Sequence, residues 1–180
     1  MATRNRTSNW AFPYHLDFKS TDFRQYPNLY RVGVGEQGVL LVEPYKSEIL
    51  PHWRFRTPEM ARISAEKIYE LFAAYLKTNE FVGADMARKF LQMGYTRARR
   101  YANHRTGKKY TEGPEAKNAG LAYPHSSGSR NKGNVVLPRE ADAFTNEKAQ
   151  SAAIFYEFWQ RAKDDPEYGR QKEAFNQNLV

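Results

Sequence analysis

The chain has 180 residues, of which 41% are hydrophobic and 14% aromatic, so it is long enough for one domain with a real core and is not a disordered polymer. With 28 Lys and Arg against 20 Asp and Glu it carries a formal charge of +8, which points to a polyanionic partner, nucleic acid first and an anionic membrane surface second. The absence of cysteine excludes disulfides, thiolate metal sites and cysteine nucleophiles; no secretory h-region and no apolar run long enough to span a bilayer is present, so the expectation is a soluble, cytoplasmic protein without a transmembrane segment.

Residues 1–28 show little periodicity but hold Trp10, Phe12, Tyr14, Phe18, Phe23 and Tyr26 among polar residues. So aromatic a segment is expected to wrap over the domain and bury rings, with a stacking platform for bases as the alternative use. Leu29 to Glu43 reads as a β-hairpin, two β-rich runs (Tyr30 to Val34 and Val39 to Val42) around a Gly-bounded polar connection. Gly33, Gly35 and Gly38 match G-x-G-x-x-G formally, yet that motif should open a helix and here leads into a second strand-like run, so no nucleotide cofactor is expected. Glu43 to Arg56 is a loop broken by Pro44 and Pro51, with a basic-aromatic cluster that includes Arg54 and Arg56. Thr57, Pro58 and Glu59 form a helix start, and Met60, Ile63, Ile68, Leu71, Phe72 and Tyr75 recur at helical spacing to about Lys77.

The next helix carries the most information. Asp85 to Lys109 has eight Lys or Arg and a single acid, Asp85. At about 100° per residue, Met86, Ala87, Phe90, Leu91, Gly94, Ala98 and Tyr101 share one side. Arg88, Lys89, Gln92, Tyr95, Thr96, Arg99, Arg100 and Asn103 share the other, and Arg97 points toward the apolar arc. A solvated face usually mixes signs to gain i,i+4 pairs; this one crowds like charges, which an external polyanion would offset. Arg88, Lys89, Arg99 and Arg100 are therefore expected to project from one exposed face onto phosphates, joined by His104, Arg105, Lys108, Lys109, Arg54 and Arg56. Gln92, Tyr95, Thr96 and Asn103 are expected to reach base edges or to stack.

Residues 111–137 have the Gly, Ser, Asn and Lys composition of a flexible loop; His125 to Lys132 is expected to be mobile, with Arg130 and Lys132 adding charge, and Val135 to Leu137 to end it as a short strand or anchor. Residues 138–180 form C-terminal helices, one over Thr145 to Lys163 with an apolar stripe of Ala149, Ala152, Ala153, Phe155, Tyr156 and Trp159, and one starting at Asp165 and Pro166. The chain thus reads as a single domain, 1–180, in which 29–110 holds the hairpin and a two-helix basic core.

Catalytic signatures are few. His15, His52, His104 and His125 lie far apart without ligand spacing, so no metal site is expected. Glu43, Lys46 and Glu48 form an E-x-x-K-x-E triplet that could assemble a metal-dependent nuclease; such triplets also occur by chance in charged proteins.

The words YHLDFKSTDFRQYPNLYRVG, GEQGVLLVEPYKSEILPHWRFRTPEMARISAEKI and DMARKFLQMGYTRARRYANH resemble the uncharacterised domain family DUF4385, over most of the chain. The resemblance implies a small intracellular domain and transfers no activity or site. The combined reading is a helix-dominated α+β domain, with three to four helices, a small β-hairpin and the aromatic N-terminal wrapping segment, that grips DNA or RNA. The alternatives are an enzyme acting on nucleic acid (a nuclease, or one that processes bases or sugars) and a protein-interaction or virion-associated module docking on an acidic protein partner.

Overall fold

Three of the long helices begin where a residue supplies a side-chain cap. The computed structural model describes residues 12–111 and 135–179. Among these residues it has five α-helices: α1 (Tyr45–Ile49), α2 (Pro58–Lys77), α3 (Phe81–Asn103), α4 (Glu147–Lys163) and α5 (Pro166–Gln177). Thr57 Oγ1 accepts from Met60 N–H at 3.2 Å, with Pro58 at the first helical position. Asn146 and Asp165 cap α4 and α5 in the same way, each accepting at 2.9 Å from a backbone N–H three residues on. The ends of α2 match the sequence reading.

Thr78, Asn79 and Glu80 reverse the chain between α2 and α3, and Asn79 takes the left-handed conformation (φ 57°) that Asn tolerates better than most residues. The start of α4 then meets the far end of α3, where Asn146 Nδ2 donates to Ala102 O at 3.0 Å. Lys148 Nζ donates to Arg56 O at 2.7 Å, which sets the start of α4 beside the start of α2. So α2 and α4 run together and α3 runs against both, a three-helix bundle closed by α5. Phe155 of α4 packs directly on the backbone of α3, since a Cβ at Gly94 would stand 2.3 Å from its ring. Gly94→Ala is expected to cost about 1–3 kcal/mol by overpacking, seen as a lower urea midpoint at unchanged slope.

The N-terminal segment adds Phe12, Phe18, Phe23 and Tyr30 to the core, and these rings follow one another at centroid distances of 5.6, 5.8 and 6.2 Å.

The hairpin expected over Leu29 to Glu43 is not formed, and no strand occurs among the described residues, so the fold is all-helical there and not α+β. The reason is local. Gly33, Gly35 and Gly38 take φ of 68°, 61° and 80°, and successive turns close with Gln37 N–H to Val34 O, Val39 N–H to Glu36 O and Leu41 N–H to Gly38 O. Val39 and Val42 are buried while Val34 and Leu40 are exposed, a spacing of three and not the two of a pleated strand. The one β-type pairing described is an isolated antiparallel bridge from Tyr110 to Val136, which joins the two ends of 112–134. The expectations for His125, Arg130, Lys132 and the mobility of His125 to Lys132 lie outside the described residues.

Two apolar stripes also differ from the sequence reading. On α2, Met60 and Ile63 face outward and Ala61, Ser64 and Ala65 take the buried positions with Ile68, Phe72, Tyr75 and Leu76. On α4, Ala153 and Tyr156 are exposed and Phe158 and Ala162 are buried instead. In both helices small residues mark the close contact, which hydrophobicity alone ranks too low.

Candidate nucleic-acid interface

The charged helix α3 has two unlike halves. Its first half is surrounded on all sides: every residue from Phe81 to Leu91 is buried. Arg88 is 7% exposed and Lys89 0%, so neither projects from an open face, which overturns that expectation. They belong to an internal network centred on Asp85. Asp85 Oδ1 accepts from Arg88 Nε at 2.8 Å and from the Tyr168 hydroxyl at 2.6 Å. Asp85 Oδ2 accepts from the Tyr30 hydroxyl and lies 3.7 Å from Lys89 Nζ. Lys89 Nζ also donates to Val32 O and Gln37 O, both at 2.6 Å, and Arg88 donates to Gln92 Oε1 at 2.9 Å and to Gly35 O at 3.3 Å.

The electrostatics follow from this geometry. Burial alone would raise the Asp85 carboxyl, but the charges of Arg88 and Lys89, with hydrogen bonds from Arg88 and Tyr168, hold it well below the usual carboxylate range. Burial, and then the Asp85 charge, push the Tyr30 and Tyr168 hydroxyls up, so both stay protonated and donate. Burial pulls the Lys89 ammonium down to about 8 against the opposing pull of Asp85. Asp85 has a lower pKa folded than unfolded, so its stabilisation is complete above the unfolded value near 4 and is lost as pH falls toward the folded one. Urea midpoints should therefore drop on acidification below about pH 4, and Asp85→Asn should flatten part of that fall.

The second half of α3 opens outward and gathers charge at one end of the bundle. The C-terminus of α3 meets the starts of α2 and α4 there. Phe55 and Tyr101 rings lie 5.9 Å apart, Lys148 Nζ sits 5.5 Å from the Phe55 ring, and Gly107 packs against Tyr101. Glu140 ties its segment to the end of α3 by accepting from Arg105 N–H at 3.0 Å and donating its own N–H to Asn103 O at 2.8 Å. This end presents Arg54, Arg56, Arg99, Arg100, Arg105, Lys108, Lys109, Arg139 and Lys148 against Glu59, Glu140, Asp142 and Glu147. The cation excess is felt locally: partial burial and the neighbouring Arg56 lower the pKa of Lys148.

The expected base-contact residues are mostly engaged within the protein. Gln92 accepts from Arg88, and Thr96 donates to Glu36 Oε2 at 3.0 Å. Burial raises the Glu36 carboxyl, opposed by the hydrogen bond from Thr96 and by the charges of Arg97 and Arg100. Arg99 donates to Asn103 Oδ1 at 2.6 Å and to Ala143 O at 2.7 Å. His104 is buried at the end of α3, where its carbonyl accepts from Gly107 N–H at 2.7 Å. Tyr95 packs against Tyr156 and Trp159 of α4 at 5.2 and 5.7 Å. Arg54, Arg56, Arg105, Lys108 and Lys109 are exposed, and Arg99, Arg100 and Asn103 are half-buried.

One residue missing from the sequence reading stands out. Phe144 is 75% exposed, with the Arg99 and Arg139 guanidinium groups 5.4 and 5.9 Å from its ring centroid. Its signal was an aromatic directly before the Thr145 to Asn146 helix start, between two clusters of charge.

Glu43, Lys46 and Glu48 are committed elsewhere. Glu43 pairs with Lys46 at 3.4 Å and accepts from Ser47 N–H, whereas Glu48 accepts from Arg24 at 2.8 Å. Arg24 also bonds Glu80 at 2.6 Å, which fastens the N-terminal segment to α1 and to the turn before α3. Among the described residues no three His, Asp or Glu side chains gather to hold a metal ion, and no helix is long and apolar enough to cross a membrane.

No curated protein and no solved structure matches the chain. A family model described as a domain of unknown function, DUF4385, matches residues 13–178. The chain therefore belongs to the DUF4385 family, and nearly all of it is that one domain.

Proposed function

We propose that the protein binds DNA or RNA through the basic end of its bundle. The observation that carries this reading is the concentration of exposed Arg and Lys where α3 ends and α2 and α4 begin, around the open Phe144 ring. Such crowding has a repulsive cost that phosphates would offset. Arg100, Arg105, Lys108 and Lys109 neutralise phosphates, while Arg88 and Lys89 serve the fold.

Fluorescence anisotropy of labelled DNA and RNA oligonucleotides across a salt series tests it. Four phosphate contacts give a slope in log K against log salt of roughly −3 to −4. The double variant Lys108→Ala, Lys109→Ala should flatten that slope by about 1.5 to 2 and weaken binding alike across sequences. Glu43→Ala and Lys46→Ala should leave binding intact. Absence of binding to either polymer at low salt would overturn the reading.

A further inference from the structure

We propose that this interface selects unpaired strands by stacking bases on Phe144 and Tyr156, an inference that rests on the nucleic-acid reading above and names the polymer it takes. Two features apart from the charge support it. The first is the state of Phe144. A single exposed ring is ordinary, but this one is flanked by two guanidinium groups, of which Arg99 is anchored to Asn103 and to Ala143 O, one residue before the ring. The ring thus stands beside one anchored cation with most of its surface open. The second feature is a continuation along the same side of α3. Tyr95 lies one turn before Arg99, about 6 Å along the axis. Its ring touches Tyr156, which is 47% exposed on α4 and is braced edge-on by Trp159 at 5.8 Å. Two open aromatic rings, Phe144 beside Arg99 and Tyr156 beside Tyr95, are thereby set along one track next to the basic end.

Open π-faces interleaved with cations are what a single strand requires, because its bases are free to stack while its phosphates follow the charge. A duplex keeps its base faces inside the stack and offers only edges and phosphates, so it would use the cations and leave the rings idle. Stacking is indifferent to base identity, so weak sequence preference is expected.

The test compares an oligothymidylate and an oligouridylate of about 12 nucleotides with a duplex of the same length, for the native chain, Phe144→Ala and Tyr156→Ala. The native protein should bind either single strand at least tenfold more tightly than the duplex. Each substitution should weaken single-strand binding roughly tenfold, leave duplex binding and the salt slope unchanged, and be restored in large part by Phe144→Trp or Tyr156→Phe. Phe144→Ala should keep the native circular dichroism and urea midpoint because that ring is 75% exposed, and Tyr156→Phe, which keeps the contacts with Tyr95 and Trp159, controls for any packing loss in Tyr156→Ala. If the duplex binds as tightly as the single strands, or if neither alanine variant changes single-strand affinity, the stacking inference is overturned while the phosphate-binding reading stands. If no oligonucleotide binds, both fall together. An oligodeoxyuridylate of the same length, which differs from the oligouridylate only by the missing 2′-hydroxyl, assigns the natural strand to RNA or DNA by which of the two binds more tightly.

Discussion

Asp85→Ala should be the most damaging single substitution in this protein, costing about 3–5 kcal/mol, a large share of the stability of an ordinary domain. The carboxylate is wholly buried between Arg88 and Lys89, and it accepts the hydroxyls of Tyr30 and Tyr168. Its removal leaves two buried cations with no counter-charge and two buried hydroxyls with no acceptor, each an unrepaid desolvation penalty. The damage also spreads because Asp85 joins three separate parts of the chain, namely the N-terminal segment, α3 and α5. Urea unfolding gives the loss directly. Asp85→Ala combined with Arg88→Met should cost less than the separate effects added together, because the second change removes one of the stranded charges. A midpoint for Asp85→Ala within about 0.5 kcal/mol of native would show that the network contributes nothing.

The bundle was legible in the sequence because its long helices announce themselves by periodicity, and α2 and α5 also by their caps. Thr57-Pro58 and Asp165-Pro166 carry local chemistry that holds whatever packs around it. The Leu29 to Glu43 segment fails for the opposite reason. Its Val and Leu content suits a strand, but its backbone partners lie more than 50 residues away, on Arg88 and Lys89. No local rule anticipates a lysine in place of a ladder. The same long-range bonds explain the misread face of α3. Two adjacent cations look like solvent-facing charge until the loop that needs them and the acid that neutralises them are brought to the same helix. The lone acid Asp85, three and four residues before them, was the available signal, since i,i+3 and i,i+4 pairs share a helix face. The exposed basic end was legible as composition, but its convergence with Arg54, Arg56 and Phe144 depends on the order in which α2, α3 and α4 pack. Single-helix geometry does not contain that order.

Lys89→Met separates the two roles that the sequence merges in α3. Methionine has similar length and fills the space between Phe12 and Tyr30, whose rings lie 5.3 and 5.0 Å from the ammonium. It cannot donate to Val32 O or Gln37 O, and each carbonyl left without a partner costs about 1–3 kcal/mol. Part of that is recovered because the ammonium no longer has to be desolvated and Asp85 retains Arg88 as a matched pair. A net loss of about 1–3 kcal/mol is therefore expected, less than for Asp85→Ala. The loss should also be local. Amides from Val34 to Val39 should exchange much faster while those of α2, α3 and α4 keep their protection, because only the Gly33 to Gly38 turns lose their clamp. Uniformly faster exchange across the bundle would instead make Lys89 a global core residue, and unchanged exchange would deny it a clamping role. The folded variant should keep the native salt slope with oligonucleotides, whereas Lys108→Ala with Lys109→Ala lowers the slope and leaves the exchange pattern alone. A slope that falls with Lys89→Met would return the buried lysine to the phosphate-binding face, and with it the original reading of α3.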